Sequence, residues 1–260
     1  MARSLLSFAM TPAPSPQVIP PTFVCLHYWA GSGREWGYVA ELLAPEYRVL
    51  APDLGGFGEA PAPTGGYTVD AYADQVQQLL EAQQLGRYVL VGHSMGGKIA
   101  LALAARQPVG LAGVALLSPS PPTPEPMTEA ERQASLRAYG KADEARKTLH
   151  HITARPLPAA VQAQIVEDNL RTTKLAWEAW LLHGSREDLS ARMALINVPC
   201  AIVAGDQDAV MSPSVHGLET LPLLPDGTPL DIVGGAGHLL PYEAPEEVAE
   251  LLRSFAQRLP

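Results

Sequence analysis

Ser94 lies in Gly92-His93-Ser94-Met95-Gly96-Gly97, a Gly-x-Ser-x-Gly pattern. An apolar run (88–91) precedes it directly, and an alanine- and leucine-rich stretch (98–106) follows. A serine on a strand-to-helix turn is presented for attack at the strand's carboxyl end. The strained backbone this requires leaves room only for very small neighbours two positions away, a need met by Gly92, Gly96 and Gly97. A glycine-rich turn can also serve packing or phosphate binding. A phosphate loop, however, would follow G-x-G-x-x-G or a Walker pattern, and neither is present. The spacing points to a nucleophile.

A serine hydroxyl is a poor nucleophile without a base. Of seven histidines, His93 adjoins the serine, so its side chain points away and packs under the turn. His27 ends an early apolar run and orders the loop after it. His150, His151 and His183 fall in a helical stretch, and His216 falls on a helix after a late strand. None of these four has a glycine-rich loop to deliver it. His238 has one: Gly234-Gly235-Ala236-Gly237-His238 joins the last strand to the last helix.

An imidazole base needs a carboxylate to orient it. The run 111–117 ends in Ser118-Pro119-Ser120 with no nearby acid, whereas 200–204 ends in Gly205-Asp206-Gln207-Asp208. Asp208 lies further past the strand end, on the turn itself, and takes the role. Asp206 is expected to cap the turn's own amides and remains the alternative.

Short apolar runs at 22–26, 47–51, 88–91, 111–117, 200–204 and 230–233 alternate with helical patterns at 34–43, 67–85, 98–106 and 245–259. That alternation predicts a mostly parallel central sheet flanked by helices, an α/β fold. Residues 119–190 break the rhythm. They open with a proline cluster and then carry helical patterns without strands, including Trp177 and Trp180 one turn apart. The organisation expected is therefore a core of 1–118 and 191–260 with an all-helical insertion at 119–190.

The 260 residues carry a formal charge of −9 and no Lys/Arg cluster, which argues against nucleic acid or an anionic membrane as partner. No apolar run reaches the roughly 18 residues needed to span a bilayer. The segment from Arg3 to Met10 is short for a signal peptide and lacks a persuasive cleavage site, so it reads as a frayed strand and linker. Cys25 and Cys200 read as two buried, reduced thiols, and the expected location is cytoplasmic. Carboxylates and histidines never cluster at metal-ligand spacing, so neither metal nor cofactor is expected. Asp53 reads as a loop-holding residue, and Lys98 as a solvated or helix-side residue rather than a catalytic one.

Taken together, these motifs, with His27-Tyr28-Trp29 before Gly31, 52–58 (Pro-Asp-Leu-Gly-Gly-Phe-Gly) and Pro241-Tyr242-Glu243-Ala244-Pro245, resemble the α/β-hydrolase superfamily, in its esterase/haloperoxidase-like branch with a helical cap. The order Ser94, Asp208, His238 is the one that superfamily uses. The resemblance implies a metal-free serine hydrolase of small carboxylic esters, with 119–190 as the cap. It implies an oxyanion hole made by the Met95 amide and, aligned by His27, the Trp29 amide. Tyr28 then stands where glycine is usual, and its side chain would crowd the mouth or re-aim the loop. Tyr28, Trp177 and Trp180 are candidate pocket residues, with simple packing as the alternative for each. The same triad would serve a C–C bond hydrolase, an acyltransferase or a cofactor-free perhydrolase or haloperoxidase. A ligand-binding receptor with a hydrolase shell is the alternative from another class.

Overall fold

The computed structural model of the chain describes residues 20–260; the expected N-terminal strand and linker lie outside them. Six apolar runs form the strands β1 (Thr22–Leu26), β2 (Val49–Leu50), β3 (Tyr88–His93), β4 (Leu111–Leu117), β5 (Cys200–Gly205) and β6 (Leu230–Val233). They pair in the order β2-β1-β3-β4-β5-β6, and every pairing is parallel. All carboxyl ends therefore share one edge, which brings Ser94, Asp208 and His238 to one side of the sheet.

Alternation along each strand divides the core in two. Val24, Leu26, Leu90, Val114, Leu116 and Ile202 face the helices α2 (Val69–Ala82) and α3 (Met95–Ala104). Phe23, Cys25, Val89, Val91, Leu117 and Val203 face α1 (Gly37–Leu43) and the C-terminal helix Pro245–Gln257. Both cysteines are buried and unpaired.

Several boundaries differ from the sequence expectation. The second strand, at one edge of the sheet, keeps only two paired residues of 47–51. Tyr47 instead lays its ring on Phe23, centroids 5.1 Å apart. β3 runs on to His93, which pairs with Leu117. α2 begins where Thr68 accepts the Ala71 amide (3.1 Å), two residues past the expected start at 67. α3 starts at Met95 rather than 98, since the elbow feeds straight into the helix despite Gly96 and Gly97. Low propensity gives way there to tertiary packing.

Between β4 and β5 come four α-helices, two short 3₁₀ helices (Gly184–Arg186 and Ser190–Leu195) and no strand; the α-helices are α4 (Glu129–Ala138), α5 (Ala142–Ile152), α6 (Ala159–Arg171) and α7 (Lys174–Leu182). Thr128 and Glu131 cap α4 reciprocally. α5 and α6 bury Leu149, Val161 and Ile165 with Tyr28, Leu239 and Tyr242. α7 contributes Trp177 and Leu181 to a second cluster containing Ala30, with Leu136 of α4 at its margin. Both clusters thus rest on the loop after β1. Among the described residues, no helix is long and apolar enough to cross a membrane.

Gly205 closes β5 where a Cβ would sit 2.2 Å from the Ala236 carbonyl and 2.4 Å from that of Gly237. The glycine lets the loop bearing His238 lie directly on the strand end. Gly205→Ala should cost about 1–3 kcal/mol by overpacking and lower the thermal midpoint by about 2–4 °C per kcal/mol. An unchanged midpoint in calorimetry would show that the loop does not depend on this contact.

Candidate active site

Ser94 follows the last residue of β3 and precedes the first of α3, with φ 51° and ψ −116°. A non-glycine residue with this backbone is strained and persists only where its surroundings over-determine it. Here the Ser94 amide donates to the Leu117 carbonyl (3.0 Å), and the Ser94 carbonyl accepts from the amides of Gly97 (2.9 Å) and Ser120 (2.9 Å). Gly96 lets α3 approach the end of β1: a Cβ there would fall 2.3 Å from the Leu26 carbonyl oxygen.

His238 is 3% exposed, and its Nδ1 lies 2.8 Å from Asp208 Oδ2. Since that carboxylate oxygen accepts, Nδ1 carries the proton and Nε2 is left as the basic nitrogen. Asp208 Oδ1 accepts from the amides of Val210 and Met211, both at 2.8 Å. Burial alone would push the Asp208 carboxyl up, but the His238 imidazole beside it and the Met211 amide hold it at about 2. For His238, burial opposes the cation. The Asp208 charge and hydrogen bond outweigh it, with help from Glu125 and Glu35, and carry the imidazole above its usual value. Ser94 Oγ and His238 Nε2 form no hydrogen bond with each other.

Asp206 does not cap its own turn as expected. Its Oδ1 accepts from the Gly235 amide (2.6 Å) across the gap, so it braces the glycine loop, while Asp208 caps the turn. Lys98 lies on α3, as its helix-side reading has it, but it is fully buried rather than solvated, and its Nζ donates to the Thr123 carbonyl (3.0 Å). Burial pushes that amine down to about 8 against the opposing charges of Glu125, Glu187 and Asp188. Asp53 holds its loop by accepting from the amides of Gly33 (2.7 Å) and Glu59 (2.8 Å).

The loop after β1 is ordered by His27, whose Nδ1 donates to the Tyr28 carbonyl (2.7 Å) and whose Nε2 accepts from Leu54 N–H (3.0 Å). The amides of Met95 and Trp29 donate to no described residue. Tyr28 turns its ring into the cluster with α5 and α6, where it is 7% exposed and 5.4 Å from the His93 ring. Trp177 is buried, with its Nε1 donating to the Ser135 carbonyl and its ring 4.2 Å from Trp29. Trp180 belongs instead to the main core, among residues such as Leu189 and Met193, and lies over Gly184.

Glu243, a member of the 241–245 motif that carried no role from sequence alone, has one in the structure. Its buried carboxylate accepts four amides: Gly237 (3.0 Å) and Leu239 (3.0 Å), which flank His238, and Ala154 (2.7 Å) and Arg155 (2.8 Å), just after α5. The His238 amide itself donates to the Ile152 carbonyl (2.8 Å). The only sequence sign of this was an acid set in an otherwise apolar stretch five residues past the histidine.

A family model described as alpha/beta hydrolase fold matches residues 21–180. Lipase 3 of a Moraxella species is 25% identical over 263 residues, spanning 96% of this chain and 82% of that protein. Among solved structures, an esterase from Exiguobacterium antarcticum aligns with TM-score 0.83 and 22% identity, over 91% of this chain and 92% of its own. A bromoperoxidase from Bacillus anthracis aligns with TM-score 0.81 and 22% identity, over 92% of each. At that identity the two structures bear on the fold alone.

The Glu243 clasp and the Asp206 brace differ in weight. Glu243→Ala strands four amides and should cost about 3 kcal/mol, against about 1 kcal/mol for Asp206→Ala. Hydrogen exchange should quicken together at Ala154, Arg155, Gly237 and Leu239 in the first variant, and at Gly235 alone in the second. Independent exchange of the four amides would show that Glu243 is no shared anchor.

Proposed function

The chain belongs to the α/β-hydrolase fold family, and from that premise we propose that it is a serine hydrolase of small carboxylic esters. The observation that carries the reading is the buried 2.8 Å bond from His238 Nδ1 to Asp208 Oδ2, at the same sheet edge as a serine with positive φ.

His238 Nε2 removes the proton from Ser94 Oγ as the oxygen attacks the acyl carbonyl. Asp208 holds the tautomer and stabilises the imidazolium that forms. The amides of Met95 and Trp29 receive the developing oxyanion, each donor worth roughly 3 kcal/mol of barrier. As the tetrahedral intermediate collapses, the C–O bond to the alcohol breaks and His238 returns its proton to the departing oxygen. Water, deprotonated by the same imidazole, then attacks the acyl-enzyme; the acyl–Oγ bond breaks, His238 returns the proton to Ser94 Oγ, and the carboxylic acid is released.

The helical insertion 119–190 acts in this reading as a cap that covers the site and selects the substrate. Trp29, half-buried and backed by Trp177, would meet the apolar part of the ester. Tyr28, turned into the α5–α6 cluster, would seat the cap rather than line the pocket.

Ser94→Ala should remain folded yet lose fluorophosphonate labelling and about 10⁴-fold or more of ester hydrolysis. Near-wild-type turnover of chromogenic esters by this variant would remove the covalent mechanism.

The base must be neutral to act, and its imidazole is raised above the ordinary 6.5. kcat/KM should therefore climb with pH along a single limb whose midpoint lies above 6.5, while Asp208 stays ionised throughout. Asp208→Asn should move that midpoint down and cost about 10³-fold or more in kcat. A limb centred in the carboxylate range would assign the base to another group.

A further inference from the structure

We propose that Glu35 and His93 form a buried ion pair that positions the catalytic base, with His93 doubly protonated and bonded to the backbone carbonyl of His238. The inference deepens the proposed function and rests on its assignment of His238 as the base.

Both side chains are fully buried. His93 Nε2 lies 2.8 Å from the His238 carbonyl oxygen. A carbonyl can only accept, so Nε2 carries a proton. On the other side of the ring, Nδ1 lies 3.3 Å from both Oε1 and Oε2 of Glu35. A neutral His93 would then present a bare Nδ1 to the carboxyl group. That contact would need a protonated Glu35 donating from one oxygen, which would draw that oxygen closer than its twin. A carboxylate facing an N–H meets the same contact, with both oxygens within reach of the one donor.

The surroundings agree. Glu35 makes no other side-chain hydrogen bond among the described residues. A lone carboxylate held out of water is costly, and a cation in contact is the usual remedy. The adjacent Arg34 is not available, because its guanidinium is engaged with Asp168 and Glu167. The other rings against His93 are Tyr28 at 5.4 Å and His238 at 5.1 Å, and neither is a carboxylate. His27 nearby donates at Nδ1 and accepts at Nε2, so it is neutral and brings no competing charge.

The link has a mechanical meaning. His93 precedes Ser94 in the chain, so its side chain ties the peptide of the base to the residue next to the nucleophile. Asp208 orients the imidazole, and Glu243 and Ile152 hold the loop's amides. His93 instead sets the spacing between loop and elbow, and a misplacement near 1 Å at a reacting group can cost about 10²-fold.

The decisive measurement is the ¹⁵N spectrum of the histidine side chains in the wild-type protein at neutral pH, without substrate. Both His93 nitrogens should resonate as protonated, and in Glu35→Gln Nδ1 alone should become unprotonated. An unprotonated His93 nitrogen in the wild type overturns the proposal, whether or not the enzyme is active. In kinetics, His93→Leu should lower kcat about 10–100-fold with KM within about threefold. His93→Gln, whose amide can donate to the same carbonyl, should recover part of the loss. A folded His93→Leu with unchanged kcat also overturns the proposal. Should Ser94→Ala keep its activity, the catalytic reading fails while the nitrogen spectrum still reports on the pair.

Discussion

Much of this molecule is arranged around one buried hydrogen bond, from His238 Nδ1 to Asp208 Oδ2. An ionised carboxylate taken out of water is tolerable only when its lone pairs are met. Asp208 divides the task, giving one oxygen to the imidazole and the other to the amides of Val210 and Met211. The histidine comes from a glycine-rich loop with little structure of its own. Its geometry is therefore imported, through Glu243, the Ile152 carbonyl and the ring of His93.

One of those anchors, the Ile152 carbonyl, lies in α5 of the helical insertion, and a second, Glu243, also takes the amides of Ala154 and Arg155 just after it. That corner of the insertion is bonded to the very loop it overlies, and Arg155 strengthens the junction through the carbonyls of Gly234 and Glu243. The insertion is also seated by the loop after β1. Tyr28 enters the α5–α6 cluster, and Trp29 lies against Trp177 of α7. A bulky residue at 28, where the resemblance leads one to expect glycine, thus has a packing reason. The same loop would present the Trp29 amide to the oxyanion and carry the weight of the helices above it.

Polar groups buried between insertion and core follow a common pattern. Asp168 of α6 takes Ser32 Oγ (2.8 Å) and the Arg34 guanidinium, while Lys98 of α3 reaches the Thr123 carbonyl. Within the insertion itself, Arg132 of α4 likewise donates to Ser185 Oγ (2.7 Å) and to the Leu181 carbonyl. Such contacts add little net stability over apolar packing, yet removing one partner is expensive.

How much of this could be read beforehand depends on whether a feature is local. The parallel sheet, its flanking helices and the strandless stretch 119–190 follow from periodicity, because burial on one face or two leaves its mark on consecutive residues. The elbow was legible for the same reason: Ser94 and its glycines are a local backbone requirement. Asp208 and His238 could be named from the turns that carry them, since all parallel strands deliver their carboxyl ends to one edge. What the sequence alone did not reveal is held by partners far apart in the chain. Lys98 looked solvated because nothing near it says that Thr123 returns over α3. Asp206 seemed to serve its own turn until the fold brought Gly235 to it. Glu35, Glu243 and Tyr28 carry no periodic sign of their partners, because hydrogen bonds and packing across 58, 89 and more than a hundred positions depend on which loops the sheet brings together.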